Sequence, residues 1–311
     1  MAVLNAPARA GVAPLRPRRP GRERWTPYLL IAPAGLLVAV FLIYPIGSVV
    51  YYSLYDYNVL KPWSNGFVGL DNYVTMFGDS QFWQSLVFTA QWVVAEVGLQ
   101  FVLGLALALI INETFVGRAI ARALAFAPWA VSGVLTTTIW LLIYSPTTGI
   151  GRYLADAGIG SYGNSPLAEA GSAFWAAVVA ELWRGIPFFA ILILADLQSI
   201  PRDLYESAEV DGAGRFRRFW SITLPHLRTA IIISTLLRAV WEFNNVDLLY
   251  TLTGGGPGGA TTTLPLYVAR LAIDAKEFGY GSALTMAAFA ILAVFSATYL
   301  WLVRMGRDQI S

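Results

Sequence analysis

Six ionisable side chains interrupt otherwise apolar stretches of this chain: Glu96, Glu181, Arg184, Arg238, Glu242 and Asp247. A charge in hydrocarbon costs about 2.5–3.5 kcal/mol on insertion scales, so such residues usually pair with one another or face a water-filled cavity. Glu181 and Arg184 are spaced i, i+3 and Arg238 and Glu242 i, i+4, so on helices each pair shares a face and can partly neutralise itself. These pairs can simply hold helices together. With Trp241, Asn244 and Asn245 they can also line a translocation cavity, where amides, carboxylates and an aromatic surface are available to a solute.

Covalent chemistry has little to work with. The chain has no cysteine, which excludes thiol nucleophiles and iron–sulfur clusters, and its one histidine, His226, cannot by itself build the usual multi-histidine zinc site. Lys61 precedes Pro62 and Lys276 precedes Glu277, so no GK[ST] phosphate loop exists. The glycine-rich run Gly254–Gly259 lacks a following Lys-Ser or Lys-Thr and reads as turn chemistry. No cofactor, metal or catalytic residue is therefore expected. The net charge of +2 gives no basic domain for nucleic acid.

Hydrophobic residues make up 57% of the 311 and charged ones 13%, against roughly 25% charge in soluble domains, so the chain belongs in a bilayer. A span needs about 20 apolar residues. Six such stretches occur, over residues 28–53, 85–111, 123–144, 174–197, 230–250 and 281–303. Counted inward from their outer ends, five of the buried charges lie in one layer roughly 10–18 Å deep. The predicted fold is an all-α membrane protein with a single six-helix membrane domain over 25–311. It is preceded by a disordered basic tail over 1–24 that holds six arginines. Fifteen basic residues fall in the tail, the alternate loops and the C-terminal end, against four in the opposite loops, which puts both termini in the cytoplasm.

Between the fourth and fifth spans, Ser199 can cap a helix, Pro201 suits its first turn, and Asp203 and Glu206 lie near its positive end. Gly212 and Gly214 break that helix, and a second amphipathic stretch with Phe216, Phe219 and Trp220 leads to Pro225. The expectation is a helix–turn–helix knob on the cytoplasmic face. Glu206, Ser207, Ala208, Gly212, Ile222, Leu224 and Pro225 then fall into the spacing E-A-A-x3-G-x9-I-x-L-P, with Ser207 in place of alanine.

That pattern resembles the EAA loop of permease subunits of binding-protein-dependent ABC importers. Phe67–Tyr73 (FVGLDNY), Leu182–Phe189 (LWRGIPFF), Leu197–Pro201 (LQSIP), Glu242–Leu264 and Phe278–Leu284 (FGYGSAL) resemble the carbohydrate-uptake branch, in particular its first maltose/glycerol-3-phosphate-type permease. Asp196 departs from that branch, where glycine is usual.

The resemblance implies the type I importer permease fold in a bacterial plasma membrane, as half of a translocation pathway for a sugar or polyol. It also implies a second homologous permease, an extracytoplasmic solute-binding protein and two ATPase subunits that bind the ATP and magnesium. Glu206, Ser207, Ala208, Gly212, Ile222, Leu224 and Pro225 would form the loop that docks against an ATPase, and Asn244 and Asn245 would contact substrate with Trp241, Glu242, Asp247, Glu181, Arg184 and Glu96 along the pathway. The competing expectation is a carrier driven by an ion gradient with Glu96, Glu181 or Asp247 as its ion site. Such carriers commonly show more spans and inverted repeats.

Overall fold

The computed structural model describes residues 26–158 and 165–308. The predicted tail over 1–24 lies outside the described residues. Two compact units, residues 1–48 and 49–311, make up the chain. The first holds the helix Thr26–Val38, a wide π-type turn over Ala39–Ile43 and the opening of the helix Tyr44–Ser53. Pro45 follows that turn by two residues, and Pro225 follows the π-type turn Phe219–Thr223 at the same distance. Proline cannot donate to the carbonyl four residues back and its ring collides with it, and a wider turn relieves both.

Four described helices are long and apolar enough to cross a membrane: Pro27–Ser53, Ser80–Asn112, Ala170–Leu197 and Phe278–Arg304. The second span starts earlier than its apolar run because Asp79 caps it, accepting from the Gln81 N–H at 2.8 Å.

Two predicted spans are broken. The third, expected as one helix over 123–144, is a helix Arg118–Phe126, a 3-10 turn Ala127–Ala130 and a helix Gly133–Ile143, bent by 98°. Pro128 disrupts the first segment, and Ser132 is extended and caps the second by accepting from the Leu135 N–H at 3.4 Å. The fifth, expected over 230–250, is a helix Leu224–Phe243 that stops at Asn244 and restarts as Asp247–Leu252. Asn244 Nδ2 donates to the Val240 carbonyl at 2.8 Å and Asn245 Nδ2 to Glu242 Oε2 at 3.2 Å, local bonds of the kind that compete with a helix.

The core of the second unit lies where the second, fourth and fifth spans meet. At one end of these helices Ile111, Phe189, Ile193, Leu197 and Leu227 pack together, and at the other Trp92, Ala177, Val178, Leu248 and Leu249 do so. The second and fourth spans approach closely because glycines face each other's side chains. A Cβ on Gly104 would run into Phe189, and one on Gly185 into Gln100.

Candidate functional site

One face of the second span explains much of the buried chemistry. Trp92, Glu96, Gln100 and Gly104 recur every fourth residue, and the first three are completely buried. They form a stripe that looks inward on the fourth and fifth spans. From the fourth span Glu181 and Arg184 point to it, and from the fifth Arg238 and Glu242. The result is a single network across three helices.

Arg238 is its hub. Its guanidinium donates to Glu181 Oε1 at 2.8 Å, to Glu242 Oε1 at 2.6 Å and through Nε to Gln100 Oε1 at 2.6 Å, and it lies 5.9 Å from the Phe188 ring centre. Arg184 forms a second pair with Glu181 at 2.8 Å. The Gln100 amide donates to Glu96 Oε2 at 2.8 Å and to Glu242 Oε1 at 3.4 Å, while the Trp92 indole donates to Glu242 Oε2 at 3.2 Å. Glu96 Oε1 is buried with no hydrogen-bond partner. Glu181 and Glu242 thus share two arginines, with Glu96 joined through Gln100, in a largely buried setting where each pair is strong only while its partners stay in place.

Of the residues expected along a pathway, Glu96, Glu181 and Glu242 lie buried in this network and Arg184 is half-buried beside it. Asn245 joins them through Glu242. Trp241, Asn244 and Asp247 are instead exposed at and around the break in the fifth span, with Trp241 packed 5.1 Å from Phe188. The break therefore carries an accessible rim of aromatic, amide and carboxylate groups directly behind which the network begins. Gln100 and Trp92 were not singled out by sequence reasoning. Their i±4 spacing around Glu96 is the signal that could have found them.

The predicted knob is present as a helix Arg202–Val210, a turn at Gly212 and a short helix Arg215–Arg218. Ser199 does not cap it. Its hydroxyl donates back to the Asp196 carbonyl at 2.7 Å, tying off the fourth span, and Pro201 occupies the cap position with extended backbone. Gly212 has φ +78, the left-handed turn that glycine adopts without a Cβ penalty, and the Ala213 N–H reaches the Ala208 carbonyl at 2.8 Å. Tyr205 and Thr223 share a 2.9 Å hydroxyl contact, and Arg218 pairs with Glu209 at 2.8 Å, so the two limbs are joined at two points. Glu206, Ser207, Gly212, Phe216 and Pro225 are exposed, Ala208, Ile222 and Leu224 partly so. His226 Nδ1 lies 2.8 Å from the Ile222 carbonyl within the same turn.

On the other side, the run Gly254–Gly259 folds against buried threonines. Thr261 Oγ1 donates to the Gly256 carbonyl at 2.7 Å and Thr262 Oγ1 to that of Gly255 at 3.1 Å, while the Leu264 N–H donates to Thr89 at 2.8 Å. Nearby, the Tyr280 and Tyr267 hydroxyls donate to Asp79 Oδ2 at 2.6 and 2.9 Å, linking three segments distant in sequence. Burial works against the Asp79 charge, but these hydroxyls and the Gln81 and Phe82 N–H groups outweigh it and hold the carboxyl below its ordinary 3.8. A lowered carboxyl stabilises the fold above its unfolded pKa and stops doing so as pH falls through the folded value. Asp79→Asn should lower the apparent melting temperature in detergent by about 2–4 °C at neutral pH. The gap from the parent should close in acid below pH 3.8. A gap that persists there would contradict the assignment.

The family model for the binding-protein-dependent transport system inner membrane component matches residues 100–306. The trehalose/maltose transport system permease MalF of Thermococcus litoralis is 39% identical over 290 residues, covering 92% of this chain and 96% of the relative. The sulfoquinovosyl glycerol transport system permease SmoG of Agrobacterium fabrum is 35% identical, covering 91% of each. Among solved structures, a bacterial ABC transporter involved in import of the acidic polysaccharide alginate has the same fold. The TM-score is 0.78 at 22% identity, over 91% of this chain and 96% of that one. The structure of an alginate transporter in complex with an alginate pentasaccharide-bound periplasmic protein matches at TM-score 0.77 and 22% identity, over 93% and 96%.

Proposed function

Because this chain belongs to the family of binding-protein-dependent transport system inner membrane components, we propose that it is a permease subunit of an ATP-driven importer for a sugar or polyol. A membrane component of such a system is not an enzyme, and the chain carries the type I permease fold. The observation that carries the coupling role is the exposed knob around Gly212, whose motif residues face solvent on a rigid pair of limbs. Glu206 offers a carboxylate to an arginine or to backbone donors of a partner, Ala208 and Gly212 permit close approach, and Phe216 is free to fill an apolar pocket. The partners on this reading are two cytoplasmic ATPase subunits, which bind ATP and magnesium, a second homologous permease and an extracytoplasmic solute-binding protein. Both termini face the cytoplasm.

The sugar reading is supported by the rim of Trp241, Asn244 and Asp247 and by the trehalose/maltose permease relative. Asn244→Ala removes an exposed amide while leaving the network untouched, and should reduce uptake of the preferred solute about tenfold, the value of one hydrogen bond to a neutral group. Wild-type uptake rates for every solute tested would remove Asn244 from the pathway. The unpartnered Glu96 Oε1 favours a second reading, a carrier driven by an ion gradient. Radiolabelled uptake in cells decides between them: the importer stops on ATP depletion and survives collapse of the proton gradient, and the carrier does the reverse.

A further inference from the structure

The fifth and sixth spans pack along Phe243, Ala288, Ile291 and Leu292. Nearer the cytoplasm they are pinned where the Tyr299 hydroxyl lies 2.6 Å from Thr235 Oγ1 and 3.3 Å from the Ile232 carbonyl. Below that pin a groove of about 900 Å³ opens between them, with Leu224, Ile231 and Ile232 on one wall and Tyr299, Leu302 and Val303 on the other. Arg228 is the one charged residue lining it. Among the described residues Arg228 has no acidic partner, and Arg304 stands exposed just past Val303 on the facing helix.

We propose that this groove binds an anionic phospholipid of the cytoplasmic leaflet, with an acyl chain against the apolar walls and the phosphate at Arg228 and Arg304. The proposal rests on the membrane orientation given above. Three physical points carry it. A cation in a groove that faces hydrocarbon needs an anion, and the Arg228 stem can lie along the wall while its head reaches the headgroup level. An acyl chain asks for no hydrogen bonds, which suits a groove whose walls are apolar and whose Tyr299 hydroxyl is already engaged. The charge sign matches the lipids that basic pockets between spans select on the cytoplasmic side. Leu224 and Pro225 border both the groove and the knob, so occupancy bears on the seating of the coupling loop.

The test is intact-mass spectrometry of the purified full chain released from micelles that hold equal amounts of phosphatidylglycerol and phosphatidylcholine with identical oleoyl chains. The parent should retain phosphatidylglycerol preferentially. Arg228→Gln should lower that preference about fivefold, the contribution of one cation near a charged headgroup. Arg228→Lys should keep it, and Leu302→Trp, which fills the groove without changing charge, should lose it. Equal retention by the parent overturns the proposal. So does a preference that survives both Arg228→Gln and Leu302→Trp, since the arginines of residues 1–24 would then be its source. A benzophenone attached through Val303→Cys, in a chain with no other thiol, should cross-link to lipid in native membranes. Cross-linking to protein instead assigns the groove to a partner subunit and overturns the proposal.

Discussion

Arg238→Leu is expected to lower the apparent melting temperature of the purified chain by on the order of 10 °C, because removing one member of a buried ion pair costs about 3–5 kcal/mol. The substitution leaves Glu181 and Glu242, both buried, facing each other without the cation that now bridges them at 2.8 and 2.6 Å. It also orphans the Gln100 carbonyl oxygen, so three spans lose their common anchor. The deficit should come from uncompensated charge and not from lost packing. Adding Glu181→Gln and Glu242→Gln to Arg238→Leu should therefore recover more than half of the loss, although each acid-to-amide change alone destabilises the parent. Thermal scans in detergent check both statements. An unchanged melting temperature for Arg238→Leu, or a triple variant no better than the single, would mean that the network does not hold the helices together.

Gly212→Trp should abolish coupling while leaving the permease folded. The glycine sits at φ +78 in an exposed turn, and a Cβ there meets no atom of the chain within 4 Å. The cost within the permease is then limited to left-handed backbone strain, roughly 1–2 kcal/mol. An indole in a tight docking joint is a different matter, and loss of a central contact worth about 2 kcal/mol or more weakens docking roughly 30-fold. Gly212→Ala carries the same strain with almost no added volume and should retain most uptake. Membrane insertion and melting temperature of the two variants should be similar, and uptake should differ sharply. Equal uptake by both would show that Gly212 serves only its own turn.

These two sites were legible in the sequence to different degrees. The knob was read almost completely, because a left-handed turn calls for glycine and the spacing from Glu206 to Pro225 lies within one continuous segment. Its start was misread: Ser199 closes the preceding helix and does not open the next one. The four spans that cross as single helices were legible from apolar length alone, since hydrocarbon thickness sets that length. The breaks at Pro128–Ser132 and Asn244–Val246 were not. Apolar residues flank both breaks closely enough to pass as continuous spans, and the local bonds of Ser132, Asn244 and Asn245 show where the helix yields.

The charged pairs within the fourth and fifth spans followed from i, i+3 and i, i+4 spacing. Their union through the Arg238–Glu181 pair, with Gln100 tying Glu96 to Arg238, did not, because the rotation of one helix against another is set by which side chains fit together. Gly104 against Phe189 and Gly185 against Gln100 fix that rotation. The same limit applies to Asp79, whose two tyrosine partners lie nearly 200 residues away in sequence.

The central claim is that this bundle has no energy source of its own and is driven through the loop at Gly212. Reconstitution tests it most directly, comparing liposomes that contain the purified chain alone with liposomes that also contain its companion permease, ATPase and binding protein. The account predicts ATP-dependent accumulation of solute in the complete vesicles and none in vesicles holding the chain alone, with or without an imposed proton or sodium gradient. Solute accumulation by the chain alone would contradict it.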